Sequence, residues 1–251
     1  MLGWVAKRGI ERLAVTCPLV AGSSHSGRIG DDLAVATRTS TAMDMESLLD
    51  RSSAFEHAVL RCFPATGSVL ALSDDKHELV SAACDVCAEH GHVLRSAFAL
   101  RAPTSGSALL RLQYEALLRG VWLMFAATPA QVAKLASALG VESEQAAKNL
   151  PGYSEMLNVV LKSAPEGLAA PLSEFNQYSR HALNSFVHSG IHALHRARHG
   201  YPEEMALTVV RFSNALSHFA YRMLASMSGS QRRMDRVTRL YLEFADCLPV
   251  K

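Results

Sequence analysis

Residues 105–127 read SGSALLRLQYEALLRGVWLMFAA. The run has no proline and a single β-branched residue, Val121, so nothing in it favours a strand or stops a helix. Wound as an α-helix, it places Arg111, Glu115 and Trp122 within about 40° of one another, with Arg119 about 80° from Arg111 and Leu118 on the same side. Charges that share a face with leucine and tryptophan are explained in two ways. One is a surface Arg–Glu–Arg ladder at i,i+4 spacing, worth little. The other is a semi-buried network at a helix interface. The apolar surroundings favour the network, with Glu115 as partner of Arg111, Arg119 or, from another helix, Arg180.

The same period extends outward from this run. From residue 43 onward the pattern is helical, and no alternating run bounded by turns is present. Helices are expected at about 45–63, 74–100 with Ser73 as N-cap, 105–127, and 129–140, the last with Thr128 as N-cap and Pro129 at its first position. Weaker ones follow at about 142–149 and 153–163. A long helix is expected over about 172–199, ended by Gly200. Two more run at about 202–227 and from 231 to about 247. Long helices joined by short connections predict an all-α antiparallel bundle over 43–251.

Residues 1–42 differ. They are rich in Gly, Ser, Thr, Arg and Ala and lack a sustained period. Thr16, Cys17 and Pro18 interrupt their one apolar stretch, which argues against a secretory signal. The expectation is a disordered tail, or a translation start at Met43 or Met45.

Composition narrows the class. The chain has 251 residues, 49% hydrophobic and 19% charged, which is globular. A net charge of +2 is too small to argue for nucleic acid by itself. Of the 25 basic residues, 19 are arginine, suited to bidentate contact with carboxylate or phosphate. Five scattered cysteines suggest reduced thiols and a cytoplasmic protein. No apolar run approaches the ~20 residues of a membrane span.

The densest polar signal is RHALNSFVHSGIHALHRARHG, residues 180–200. As one continuous helix it lines up His181, His188, His192, His195 and His199 in a stripe about 60° wide, with Asn184 at its edge. Leu183, Phe186, Val187, Ile191, Leu194 and Ala197 form the opposing apolar arc. The histidines are explained as a solvated face, a polar groove, or a metal site built on i,i+4 pairs. No HExxH pattern accompanies them and no third ligand is identifiable, so neither a metal nor a cofactor is expected. Asn184 and Arg180 border the apolar arc and would be semi-buried. Asn184 and His188, one turn apart, are the expected polar centre, joined by Arg180 and Tyr178. Cys84-x-x-Cys87 with His90 and His92 invites a zinc or redox reading, but it lies within a helix where small thiols pack as core. No phosphate-binding glycine loop and no G-x-S-x-G elbow occurs.

LLRLQYEALLRGVWLMFA followed by QYSRHALNSFVHSG resembles a bacterial family of uncharacterised helical proteins. In that family an R-x3-E-x3-R-x2-W helix precedes an L-[NS]-x3-H helix. The resemblance covers roughly 45–228, and the family in turn resembles the HEPN superfamily, which includes toxin and phage-defence ribonucleases. Their signature is R-x(4–6)-H. Here Asn184 and His188 keep the relative positions of that signature, but Leu183 stands where its arginine belongs, and Arg180 lies one residue too far. Arg211-x6-His218 and Arg51-x5-His57 also fit, as a loose pattern does by chance. The resemblance implies a non-catalytic module for RNA, nucleotide or protein, with Arg111, Glu115, Arg119 and Tyr178 as binding residues. The alternative is a metal-independent endoribonuclease with His188 as base and Arg180, Arg111 or Arg119 stabilising charge, a site that a homodimer would double. A His-rich metal-binding bundle is a further alternative.

Overall fold

A computed structural model describes residues 43–65 and 69–249. The expectations for residues 1–42 lie outside the described residues. Among the described residues there are ten α-helices, one 3₁₀ turn and no strand. They are α1 (Met45–Leu60), α2 (Asp75–Ala99), α3 (Pro103–Phe125), α4 (Pro129–Ala136), α5 (Val141–Ala147), α6 (Tyr153–Ser163), α7 (Glu166–Val187), α8 (Ile191–His199), α9 (Glu203–Met227) and α10 (Gln231–Glu243), with the 3₁₀ turn at Ala245–Cys247. The all-α bundle expected from the sequence is the observed fold. None of these helices is long and apolar enough to cross a membrane.

The caps follow simple chemistry. Thr128 and Gln131 form a reciprocal capping box at α4, with Pro129 in the first turn. At α2 the cap is Asp74, not Ser73. The Asp74 carboxylate accepts from the His77 backbone N–H at 2.9 Å, while Ser73 Oγ donates to Glu78 at 2.7 Å. An ionised oxygen is the stronger acceptor and sits at the positive end of the helix.

The α2–α3 hairpin forms the spine. Gly106 abuts Phe98, Gln113 abuts Gly91, and Gly120 abuts Ala83, so one helix descends as the other climbs. A methyl group on Gly91 would lie 2.6 Å from Gln113 Nε2 and 2.7 Å from Ser217 Oγ, so these two polar side chains occupy the space that a larger residue would fill. Helix α9 lies against α1, α2 and α3; α10 covers α9; and α6 and α7 pack on α3. Trp122, Tyr114, Leu117, Leu118 and Val121 supply the centre of the core.

Buried polar groups set the register. Gln113 Nε2 donates to the Ser213 carbonyl at 3.0 Å and to Ser217 Oγ at 2.9 Å. Asn214 Nδ2 donates to Ser52 Oγ and to the Cys247 carbonyl, both at 2.8 Å, which ties α1, α9 and the C-terminal turn together. Glu56 of α1 meets Arg95 of α2 at 2.5 Å and His92 at 3.3 Å. Burial pushes the Glu56 carboxyl up, but Arg95 and His92 outweigh it and hold it at about 2. Cys84 and Cys87 are wholly buried, and burial drives Cys87 up to about 12. That is core packing, without the depressed thiol of a redox pair.

The histidine segment departs from expectation. It is two helices. Helix α7 begins at Glu166, ends at Val187 and is capped by His188; Ser189 adopts φ +51°, and α8 starts after Gly190. Ser185 holds the corner: its carbonyl accepts from Gly190 N–H at 2.7 Å and its hydroxyl from His192 N–H at 2.9 Å. The turn breaks the phase of the stripe. Leu183 and Phe186 are buried as expected, but Ile191 is 77% and Leu194 64% exposed, and Ala193 faces inward instead.

Candidate functional site

Helix α3 carries the ion pair that its sequence announced. Arg111 Nη2 lies 2.8 Å from Glu115 Oε1. Arg111 is 8% exposed, whereas the Glu115 side chain is 38% exposed. The Arg111 guanidinium also sits 4.1 Å above the centre of the Tyr153 ring at the start of α6. It is thus gripped by a carboxylate and by an aromatic face.

Helices α6 and α7 are positioned by rings. Tyr114 stacks on Phe175 at 4.7 Å and leans on Tyr153 at 5.6 Å, and its hydroxyl donates to the Leu172 carbonyl at 2.8 Å. Burial pushes the Tyr114 hydroxyl far above its ordinary range, so it stays a neutral donor. Tyr153 Oη donates to Asn176 Oδ1 of α7. At the head of α6, Glu155 accepts from Gly152 N–H at 2.9 Å.

These contacts leave a cleft of about 400 Å³ where α3, α6 and α7 meet, lined by Arg111, Tyr153, Ser154, Glu155, His181 and Asn184, with Gly152. Of the residues expected at the site, Arg111 and Asn184 therefore share one cavity, where Asn184 is exposed on the rim instead of semi-buried. Glu115 stands behind Arg111 as its partner. Arg119 is close enough to Glu115 for that carboxylate to offset part of the burial that lowers its pKa, and its guanidinium lies 5.7 Å from the Trp122 ring centre. His188 is an exposed helix cap and does not line the cleft. The side chains of Tyr178 and Arg180 lie outside the described residues.

His181, one turn before Asn184, takes the place expected of His188. The sequence had included it in the stripe without giving it a role. Tyr153, Ser154 and Glu155 were not foreseen, because their only local signal was a helix start. The other histidines lie on α8, where His195 and His199 stand 4.6 Å apart between ring centres. Among the described residues no group of three or more His, Cys, Asp or Glu is arranged to hold a metal ion.

An all-α bundle with one clamped arginine facing a polar cleft defines the class: a helical domain with a small polar site between helices. The chain belongs to a family of unknown function, DUF6988, which matches residues 84–250. No curated protein and no solved structure matches it.

Proposed function

We propose that the protein is a non-catalytic, HEPN-like binding module whose α3–α6–α7 cleft takes a nucleotide or the end of an RNA strand. One observation carries this reading: Arg111 is buried, fixed from two sides, and still lines an open cleft beside His181 and Asn184. A guanidinium has five N–H donors, and one carboxylate does not exhaust them. Because the clamp is preformed, little freedom is lost when a phosphate binds. Asn184 offers both a donor and an acceptor, which suits a base edge, and Ser154 adds a hydroxyl.

The ribonuclease alternative assigns the base to His188, facing an arginine. His188 is exposed and outside the cleft, and Leu183, which replaces the signature arginine, packs in the core. Both observations count against His188 as a catalytic base.

The test is fluorescence anisotropy of a labelled RNA decamer, with adenosine monophosphate as competitor. Asn184→Ala and His181→Ala are expected to weaken RNA binding by about tenfold each, a loss of ~1.4 kcal/mol, while His195→Ala changes nothing. Competition by the mononucleotide separates a nucleotide site from an RNA track. Undetectable binding, or equal effects of all three substitutions, overturns the reading. Growth inhibition on expression that His188→Ala relieves would restore the nuclease.

A further inference from the structure

A second cavity, of about 800 Å³, opens between the first half of α7, the middle of α9 and α10. Its size is typical of small-molecule sites. Its walls include Phe175, Phe212, Leu216, Phe219, Tyr241 and Leu242. Two nitrogen-bearing side chains line it as well, His218 and Arg222.

Their states follow from their partners. His218 is 2% exposed, and its Nε2 lies 2.9 Å from the Val237 carbonyl. A carbonyl only accepts, so Nε2 carries the proton. Burial, reinforced by the nearby Arg222 charge, brings His218 down to about 4, so the ring is neutral at physiological pH. Arg222 differs from Arg111, Arg95 and Arg51, which all have carboxylate partners. Among the described residues Arg222 joins no ion pair, and its buried Nε has no hydrogen-bond partner. That nitrogen is buried away from the cavity, so what a ligand in the cavity meets is the rest of the Arg222 side chain, a cation on the wall without a carboxylate partner.

We propose that this cavity is a binding site for an aryl carboxylate, with the carboxylate on the Arg222 guanidinium and the ring among Phe175, Phe212 and Phe219. One unpaired cation matches one monoanion. Glu166 and Glu174, both exposed on the lining, oppose a dianion such as a phosphate ester. The aromatic walls favour a flat apolar body. This site shares no residue with the α3–α6–α7 cleft.

Titration calorimetry with 2-naphthoate tests the assignment, with 2-naphthamide as the neutral isostere. The wild type is expected to bind the carboxylate about tenfold or more tightly than the amide. Arg222→Met should remove that preference and leave amide binding unchanged. Ala170→Trp, at an exposed position on the cavity wall, should weaken both ligands. Asn184→Ala, in the other cleft, should weaken neither. No binding of 2-naphthoate, equal affinity for acid and amide in the wild type, or indifference to Ala170→Trp overturns the proposal. Should Arg222→Met fail to fold, the wild-type comparison and Ala170→Trp still decide it.

Discussion

Glu56 and Glu115 each hold an arginine in this bundle, and their depth decides how much each matters. Glu56 is mostly buried against Arg95, which is itself buried. Removing one partner of such a pair strands the other charge and costs about 3–5 kcal/mol. Glu115 is more exposed, so water screens its hold on Arg111, and the Tyr153 face remains when the carboxylate is gone. Its loss is expected to cost roughly 1–2 kcal/mol, between a surface pair and a buried one. Urea unfolding of Glu56→Ala and Glu115→Ala checks the order; an equal or larger loss at Glu115 would contradict it. Asp85 has the opposite character. Burial raises its carboxyl to about 6 with no cation offsetting it. Asp85→Asn is therefore expected to stabilise the fold at neutral pH by roughly 1–2 kcal/mol, a rise of a few degrees in Tm at this size.

At the scale of elements, the corner between α7 and α8 is the decisive local structure. Ser189 pays for the turn with a left-handed backbone, and Ser189→Gly should relieve about 0.5–1 kcal/mol of that strain. Gly190 is constrained by contact: a Cβ there would lie 2.7 Å from Ser185 Oγ, the group that accepts from His192 N–H. Gly190→Ala is expected to displace this cap at a cost of about 1 kcal/mol and to fray α8. Hydrogen exchange at 191–194 reads the effect. Unchanged protection in Gly190→Ala would show that the corner does not depend on Ser185.

For the whole molecule, three buried groups shape stability against pH. Glu56 is held at about 2 against an ordinary 4.5, so its contribution is present above about pH 4.5 and lost as pH falls toward 2. His218 is held at about 4 against 6.5; the unfolded chain binds the extra proton, and stability falls as pH drops through that window. Asp85, at about 6 against 3.8, binds its proton first in the folded state, so stability rises as pH drops from 6 toward 3.8. His218 and Asp85 thus oppose each other over nearly the same range. The wild-type Tm is expected to change little between pH 6.5 and 4.5 and to fall below that. Asp85→Asn should uncover the His218 term, so that the variant loses stability already from pH 6.5 downward. Parallel Tm–pH curves for the two proteins would rule out the compensation.

The helical class, the Thr128 cap and the pairing of Glu115 with Arg111 were legible in the sequence, because each rests on neighbours within one or two turns, where 3.6-residue geometry is fixed by the backbone itself. The end of α7 was not legible, since HALNSFVHSGIHALH keeps a helical period through a turn that a serine side chain and one glycine impose. That turn moved His188 out of the polar centre and turned Ile191 and Leu194 to solvent. The Glu56–Arg95 pair, the cleft that joins Arg111 to Tyr153, His181 and Asn184, and the unpaired Arg222 beside His218 all join residues far apart in the chain. Local periodicity carries no information about such meetings; only the packing of α1, α3, α6, α7 and α9 decides which side chains face one another.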